Sequence, residues 1–197
     1  MNSFYFTVVT YRLATLRNPF CSNSEWTFHL NKINFGMNKV ENKFSYDVYN
    51  SVEELNEKDA WLVNEAREVT ASAYAPYSNF NVGAVAKLAN GQIVAGTNQE
   101  NASYPVGICA ERVLLASAAS LYPNIAIDTI AISYDNTTGA SNHPISPCGM
   151  CRQSLVEYEE RVKQPIRLIL SGLDGKVIII EKANSLLPLS FGSIDLK

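Results

Sequence analysis

The sequence is poor in charge and in long hydrophobic runs, and both shortages exclude classes of protein. Charged residues make up 18% of the 197 positions, and the net charge is −3. Because lysine and arginine form no cluster and a nucleic-acid partner selects a basic face, nothing favours such a partner. No apolar run approaches the roughly 20 residues of a transmembrane helix, which argues against a membrane partner. The apolar content of 47% is typical of a soluble globular domain.

Cysteine is also scarce, and its four occurrences do not form a disulfide framework. Cys109 lies in residues 108–112 (ICAER), and Cys148 and Cys151 lie in residues 147–152 (PCGMCR). A Cys-x-x-Cys pair in a chain without a convincing secretory signal is more often metal-binding or catalytic than disulfide-bonded. Three of the four cysteines are therefore candidate metal ligands.

These two segments predict a catalytic zinc centre. Catalytic zinc takes three protein ligands and keeps one position open for water, and Cys109, Cys148 and Cys151 supply the three. Glu111 follows the first ligand by two residues and could move the protons of the activated water. A Cys-x-Glu followed by Pro-Cys-x-x-Cys is the pattern of the zinc deaminases.

Other charged and metal-binding side chains bear on whether the zinc is catalytic or structural. Three thiolates need a compensating cation, for which Arg112 is the first candidate and Arg152 the second. A structural site is normally closed by a fourth protein ligand, and His143 is the best competitor for that place. Cys21 and His29 are expected to be incidental. We favour the catalytic interpretation.

The pattern of apolar and turn-forming residues predicts an α/β fold in three α/β/α layers, with three main helices and a five-stranded mixed sheet. Asn90-Gly91 indicates a hairpin, and the segment 171–176 is too short for a parallel crossover, so the last two strands must be antiparallel. Residues 51–54 form a plausible capping box for the first helix. The helices are expected at about 55–74, 109–121 and 147–162, and the strands at 82–88, 93–97, 127–134, 166–170 and 177–181.

The first 36 residues differ in character from the rest of the chain, since they mix aromatic residues, Asn and Ser without a clean period. We expect them to be a non-native or disordered N-terminal extension, with Met37 as the physiological start. The catalytic domain would then be residues 37–197. A signal peptide is not predicted, because the segment lacks a basic start and Arg12 interrupts its apolar run.

Four segments resemble the signature of the small, homotetrameric cytidine deaminases of pyrimidine salvage. The resemblance covers about residues 55–196, and the motifs agree with that family in order and spacing. Ser103 stands where family members often have Cys, a position outside the zinc ligands. The segments are residues 77–84 (YSNFNVGA), 98–112 (NQENASYPVGICAER), 145–153 (ISPCGMCRQ) and 186–192 (LLPLSFG).

The resemblance implies one Zn²⁺ per chain on the three cysteines, with Glu111 as the proton shuttle. It also implies six substrate contacts. They are Asn98 and Glu100 to the ribose hydroxyls, Phe80 to the base, the backbone around Ala110 to the pyrimidine edge, and Tyr104 and Phe191 near a neighbouring subunit's site.

The implied function is hydrolytic deamination of cytidine and 2'-deoxycytidine to uridine and 2'-deoxyuridine, with release of ammonia, in a cytoplasmic homotetramer whose subunits share active sites. One alternative is a deaminase of another aminated pyrimidine nucleoside, such as the antibiotic blasticidin S. Editing of a polynucleotide base is disfavoured by the net charge of −3 and by the short last hairpin. A zinc-stabilised binding protein without turnover is the alternative from another class.

Overall fold

The fold was analysed in a computed structural model of the chain, and the structure describes residues 38–196. The expectations about residues 1–36, Met37, Cys21 and His29 lie outside the described residues. Residues 38–41 are exposed and belong to a different unit from the one that begins at Asn42 and carries the whole sheet. None of the helices in the described range combines the length and the apolar character of a membrane span.

The unit from Asn42 onward has a mixed sheet with helices on both faces, which confirms the α/β fold class. The sheet order is β1-β6-β5-β4-β2-β3, and every neighbouring pair is antiparallel except β4 and β5. The strands are β1 (Asp47–Tyr49), β2 (Phe80–Leu88), β3 (Ile93–Thr97), β4 (Ile127–Asn136), β5 (Arg167–Leu170) and β6 (Val177–Ile180). The helices are α1 (Glu57–Val69), α2 (Ala110–Leu121) and α3 (Gly149–Val162).

Two local expectations were wrong. The sheet has six strands rather than five, because the short β1 pairs with β6 along the edge of the sheet. Residues 51–54 do not cap the first helix. The side chain of Asn56 does so, by accepting hydrogen bonds from the backbone N–H groups of Lys58 and Asp59, both at 3.1 Å. The predicted hairpin at Asn90-Gly91 and the antiparallel arrangement of β5 and β6 are confirmed.

The sheet separates two apolar cores, as three layers require. On one face α1 packs against β2, β4, β5 and β6 through residues such as Leu62 and Val85. On the other face α2 and α3 pack through Leu114 and Leu155 against alternate residues of the same strands, such as Ile132. Because side chains alternate along a strand, the even-numbered residues of β2 and β4 face the layer that carries all three cysteines.

Helix α2 approaches β3 closely at Gly96. A Cβ atom on this residue would lie 2.5 Å from Leu114 N and 2.6 Å from Ala110 O, both of which are backbone atoms. The absence of a side chain at Gly96 therefore lets the first turn of α2 rest on the strand. That turn begins beside Cys109 and contains Glu111.

Replacing Gly96 by alanine is expected to destabilise the fold, because the added methyl group must push α2 away from β3. Overpacking of this kind costs about 1–3 kcal/mol, or a fall in Tm of roughly 2–12 °C for a chain of this size. Thermal unfolding followed by circular dichroism measures the change. Gly149→Ala is the matched control, because a Cβ there meets no atom within 4 Å. A Gly96→Ala protein with the wild-type Tm would contradict the close packing.

Candidate active site

The three cysteines meet where two helices begin on the same side of the sheet. Cys109 is the N-cap of α2, Cys148 is the N-cap of α3, and Cys151 lies in the first turn of α3. The unpaired N–H groups and the dipole at a helix N-terminus stabilise negative charge. The fold therefore places three thiol groups at helix N-termini, where the thiolate form is stabilised.

The spacing of the three sulfur atoms fits a zinc ion. Cys109 Sγ lies 3.8 Å from Cys148 Sγ, and Cys148 Sγ lies 3.4 Å from Cys151 Sγ. All three Sγ atoms lie within 4.8 Å of one another. At a Zn–S distance of about 2.3 Å, tetrahedral coordination separates two sulfur atoms by about 3.8 Å. The predicted ligand set is thus brought together by the fold.

The thiols of Cys109 and Cys151 do not titrate alike. The pKa of Cys109 is lowered to about 6, chiefly by a hydrogen bond from the neighbouring Cys151 thiol, with a smaller contribution from the charge of Arg112. The same contact raises the pKa of Cys151, which is 0% exposed. The Cys109 thiolate therefore forms readily at neutral pH, while a bound cation would be needed to hold Cys151 deprotonated as well.

Glu111 lies on the first turn of α2 beside the sulfur cluster, and its side chain is only 6% exposed. Burial raises the pKa of this carboxyl group above its ordinary value. A raised pKa brings a carboxyl group closer to the range in which it can both accept and return a proton, as a general acid–base requires.

His143, the competing fourth ligand, and Arg152, the second candidate for charge compensation, make other contacts. His143 is not in the sulfur cluster, and its Nδ1 lies 3.0 Å from the hydroxyl of Tyr134. Arg152 donates from Nε to Pro147 O at 2.8 Å and from Nη1 to Leu186 O at 3.0 Å. The described residues thus provide no fourth ligand at the cluster, and Arg112 remains the candidate for charge compensation.

The side chains of the two candidate ribose contacts, Asn98 and Glu100, hold the loop before α2 against the start of β2 and the turn that precedes it. The amide of Asn98 accepts a hydrogen bond from Val82 N at 2.7 Å and donates one to Phe80 O at 2.9 Å. An asparagine side chain has two N–H donors and an oxygen with two lone pairs, so these bonds use half of its capacity.

The carboxylate of Glu100 is fixed by the turn before β2. Its Oε2 accepts from Tyr77 N at 2.9 Å and from Ser78 N at 3.3 Å. Hydrogen bonding from the Ser78 side chain lowers the pKa of Glu100, which keeps the group ionised and able to accept hydrogen bonds from hydroxyls. The sequence did not identify Tyr77 and Ser78 as supports for Glu100, because the contact crosses 23 and 22 residues.

The remaining candidates fall into a buried and an exposed group. Ala110 is buried at the start of α2, and Phe80 is half-buried, with its ring stacked on Tyr134. Tyr104 and Phe191 are 76% and 59% exposed. Tyr104 makes an edge contact with Tyr77, and the carbonyl of Phe191 accepts from Gln153 Nε2 at 2.8 Å. In a single chain both aromatic rings are thus largely uncovered.

Comparison with known proteins adds independent observations. Residues 56–164 match the family model described as the cytidine and deoxycytidylate deaminase zinc-binding region. The chain is 41% identical to the cytidine deaminase of Mycoplasma pneumoniae over 98 residues, which are 50% of this chain and 70% of that protein. It is 35% identical to the cytidine deaminase of Halalkalibacterium halodurans over 135 residues, which are 68% of this chain and 95% of that protein.

A solved structure and a more distant relative complete the comparison. The crystal structure of cytidine deaminase from Burkholderia pseudomallei superposes with a TM-score of 0.59 at 35% identity, covering 70% of this chain and all of that one. The blasticidin-S deaminase of Bacillus cereus is 27% identical over 139 residues, 70% of this chain and 94% of that protein.

Proposed function

Since this chain belongs to the cytidine and deoxycytidylate deaminase family, we propose that it hydrolyses cytidine and 2'-deoxycytidine to uridine and 2'-deoxyuridine and releases ammonia. The observation that carries the proposal is the cluster of three cysteine sulfurs with the buried Glu111 carboxyl group beside it. Three protein ligands leave one position for reaction chemistry, whereas a structural zinc site is closed by four.

Cys109, Cys148 and Cys151 would hold one Zn²⁺. When bound, the zinc supplies a Lewis acid that makes water a better nucleophile. Glu111 would take one proton from the attacking water and deliver it to the ring nitrogen next to the amino-bearing carbon, while the water oxygen adds to that carbon. Glu111 would then take the second proton from the added oxygen and pass it to the amine. The C–N bond breaks, ammonia leaves, and the oxygen remains as the carbonyl of the product. Arg112 offsets the negative charge of the thiolates.

The substrate would be recognised through both its sugar and its base. Glu100 would accept hydrogen bonds from the ribose hydroxyls with the capacity left over from its contacts to the turn before β2. Asn98 would accept or donate such bonds with the capacity left over from its contacts to β2. A ligand without the sugar would leave both groups unpaired, which selects against free cytosine. Phe80 packs against the base, and the backbone at Ala110 contacts the pyrimidine edge.

The assembly is proposed to be a homotetramer in the cytoplasm, with active sites shared between subunits. Tyr104 and Phe191 support this proposal, since both rings are exposed in the single chain and large aromatic residues are favoured at interfaces. The cytoplasm keeps thiols reduced, which suits three cysteines that must bind metal.

The experiment is to follow ultraviolet absorbance with cytidine, deoxycytidine, cytosine and blasticidin S in parallel, using protein shown to hold one zinc per chain. We expect consumption of both nucleosides, with cytosine untouched because it offers nothing to Asn98 and Glu100. Consumption of blasticidin S alone would favour the antibiotic-nucleoside alternative. No turnover of any compound by the zinc-loaded protein would favour a binding protein.

A further inference from the structure

The ring of Phe80 rests on a second aromatic ring that is fully buried. Phe80 is the first residue of β2, and Tyr134 lies on the adjacent strand β4 and is 1% exposed. The ring centroids are 4.6 Å apart and the planes differ by 16°, which is a stacked arrangement. Tyr134 therefore supports one face of the Phe80 ring.

The hydroxyl of Tyr134 reaches beyond the sheet to the loop after β4. It lies 3.0 Å from His143 Nδ1, and it donates to Ala140 O at 3.4 Å. The same loop is fastened at Ser141, whose Oγ accepts from Asn136 N at 2.8 Å and whose carbonyl accepts from Asp174 N at 3.1 Å. Tyr134 therefore contacts a loop that is itself held in place.

This loop leads directly into the metal ligands. It ends at the buried Pro147, whose carbonyl accepts from Arg152 Nε, and the next residue is Cys148. Phe80 and Tyr134 project from the face of the sheet on which α2 and α3 pack. Tyr134 thus connects the aromatic ring proposed to pack against the base with the segment that delivers a zinc ligand.

We propose that Tyr134 is a positioning residue for the deamination reaction. Its hydrogen bond to His143 holds the Tyr134 ring in place, and the Tyr134 ring in turn holds the Phe80 ring where it can pack against the pyrimidine. The inference rests on the proposed function, because it assigns a role within that site. Tyr134 acts through Phe80 and does not contact the substrate, so its removal should weaken substrate binding while leaving the proton transfers of Glu111 intact.

The test is a double-mutant cycle with Tyr134→Phe, His143→Ala and the double variant. Each single change should raise KM for cytidine by about three- to tenfold, the worth of one hydrogen bond. The turnover number should stay within about twofold, because KM rises alone when only binding shared by ground and transition state is lost. The KM of the double variant should not exceed that of the more impaired single variant, since both changes break the same hydrogen bond.

Two further variants separate positioning from general stability. Tyr134→Leu removes the stacked ring as well, so its KM should exceed that of Tyr134→Phe, which keeps the ring. Ser133→Ala is the control on the same strand, because Ser133 is buried, faces away from Phe80, and has no hydrogen-bond partner for its Oγ among the described residues. It should retain wild-type KM.

An unchanged KM in Tyr134→Phe, additive effects in the double variant, or loss of zinc from Tyr134→Phe would each overturn the inference. These outcomes require a wild-type protein that deaminates cytidine, and in that case the proposed function stands while the inference fails. A zinc-loaded wild-type protein that is inactive on every substrate would overturn both.

Discussion

Replacing Glu111 by glutamine is expected to slow cytidine hydrolysis by about two to four orders of magnitude while zinc stays bound. Glutamine has nearly the same shape, but it cannot accept a proton from water or return one to the ring nitrogen. Because Glu111 is not one of the three sulfur ligands, the metal content should remain at one per chain. Ultraviolet absorbance measures the rate, and zinc release from the denatured protein measures the metal.

The matched control is Glu157→Gln, which removes an exposed carboxylate from α3 and should keep the wild-type rate. Wild-type turnover by Glu111→Gln would rule out this carboxyl group as the proton shuttle. A zinc-binding protein without enzymatic activity would show no turnover in either variant or in the wild type, so the wild-type rate must be measured first.

Replacing Cys151 by serine is expected to abolish both zinc binding and turnover, and to lower stability. Cys151 is the ligand with no exposed surface, and a serine hydroxyl is a poor substitute for a thiolate. Metal present at about 100 times its dissociation constant stabilises the folded state by about 2.7 kcal/mol. Its loss should lower Tm by roughly 5–10 °C.

Zinc stoichiometry and thermal unfolding, each with and without a chelator, provide the measurement. The chelator should lower the Tm of the wild type towards that of Cys151→Ser and should have little effect on the variant. A Cys151→Ser protein that still binds one zinc per chain would mean that another group completes the site.

Strong local signals are the reason that most of the fold could be predicted. Asn90-Gly91 defines its hairpin, so β3 begins and ends as expected at Ile93 and Thr97. The six-residue connection between the last two strands leaves antiparallel pairing as the only choice. The cysteine motifs were a strong local signal for the sulfur cluster, because each motif lies at the start of a helix.

Features that depend on tertiary contacts could not be predicted. β1 has three residues and pairs only at the edge of the sheet, so its own pattern carries almost no signal. The cap at Asn56 is a local contact to Lys58 and Asp59, and it was missed because residues 51–54 carried a competing cap signal. The sequence gives Arg152 the same charge as Arg112, and only folding shows that its guanidinium is bound to Leu186 O, 34 residues away.

The division of the ligands between two helices makes the complete metal site depend on tertiary structure. Cys148 and Cys151 are one turn apart, so they come together as soon as that turn of α3 forms. Cys109 is 39 residues before Cys148, and β4 lies between them. Because α2 and α3 pack on the same face of the sheet, the three sulfurs come together only when both helices are in place. Retention of zinc under competition thus reports how many molecules have finished folding.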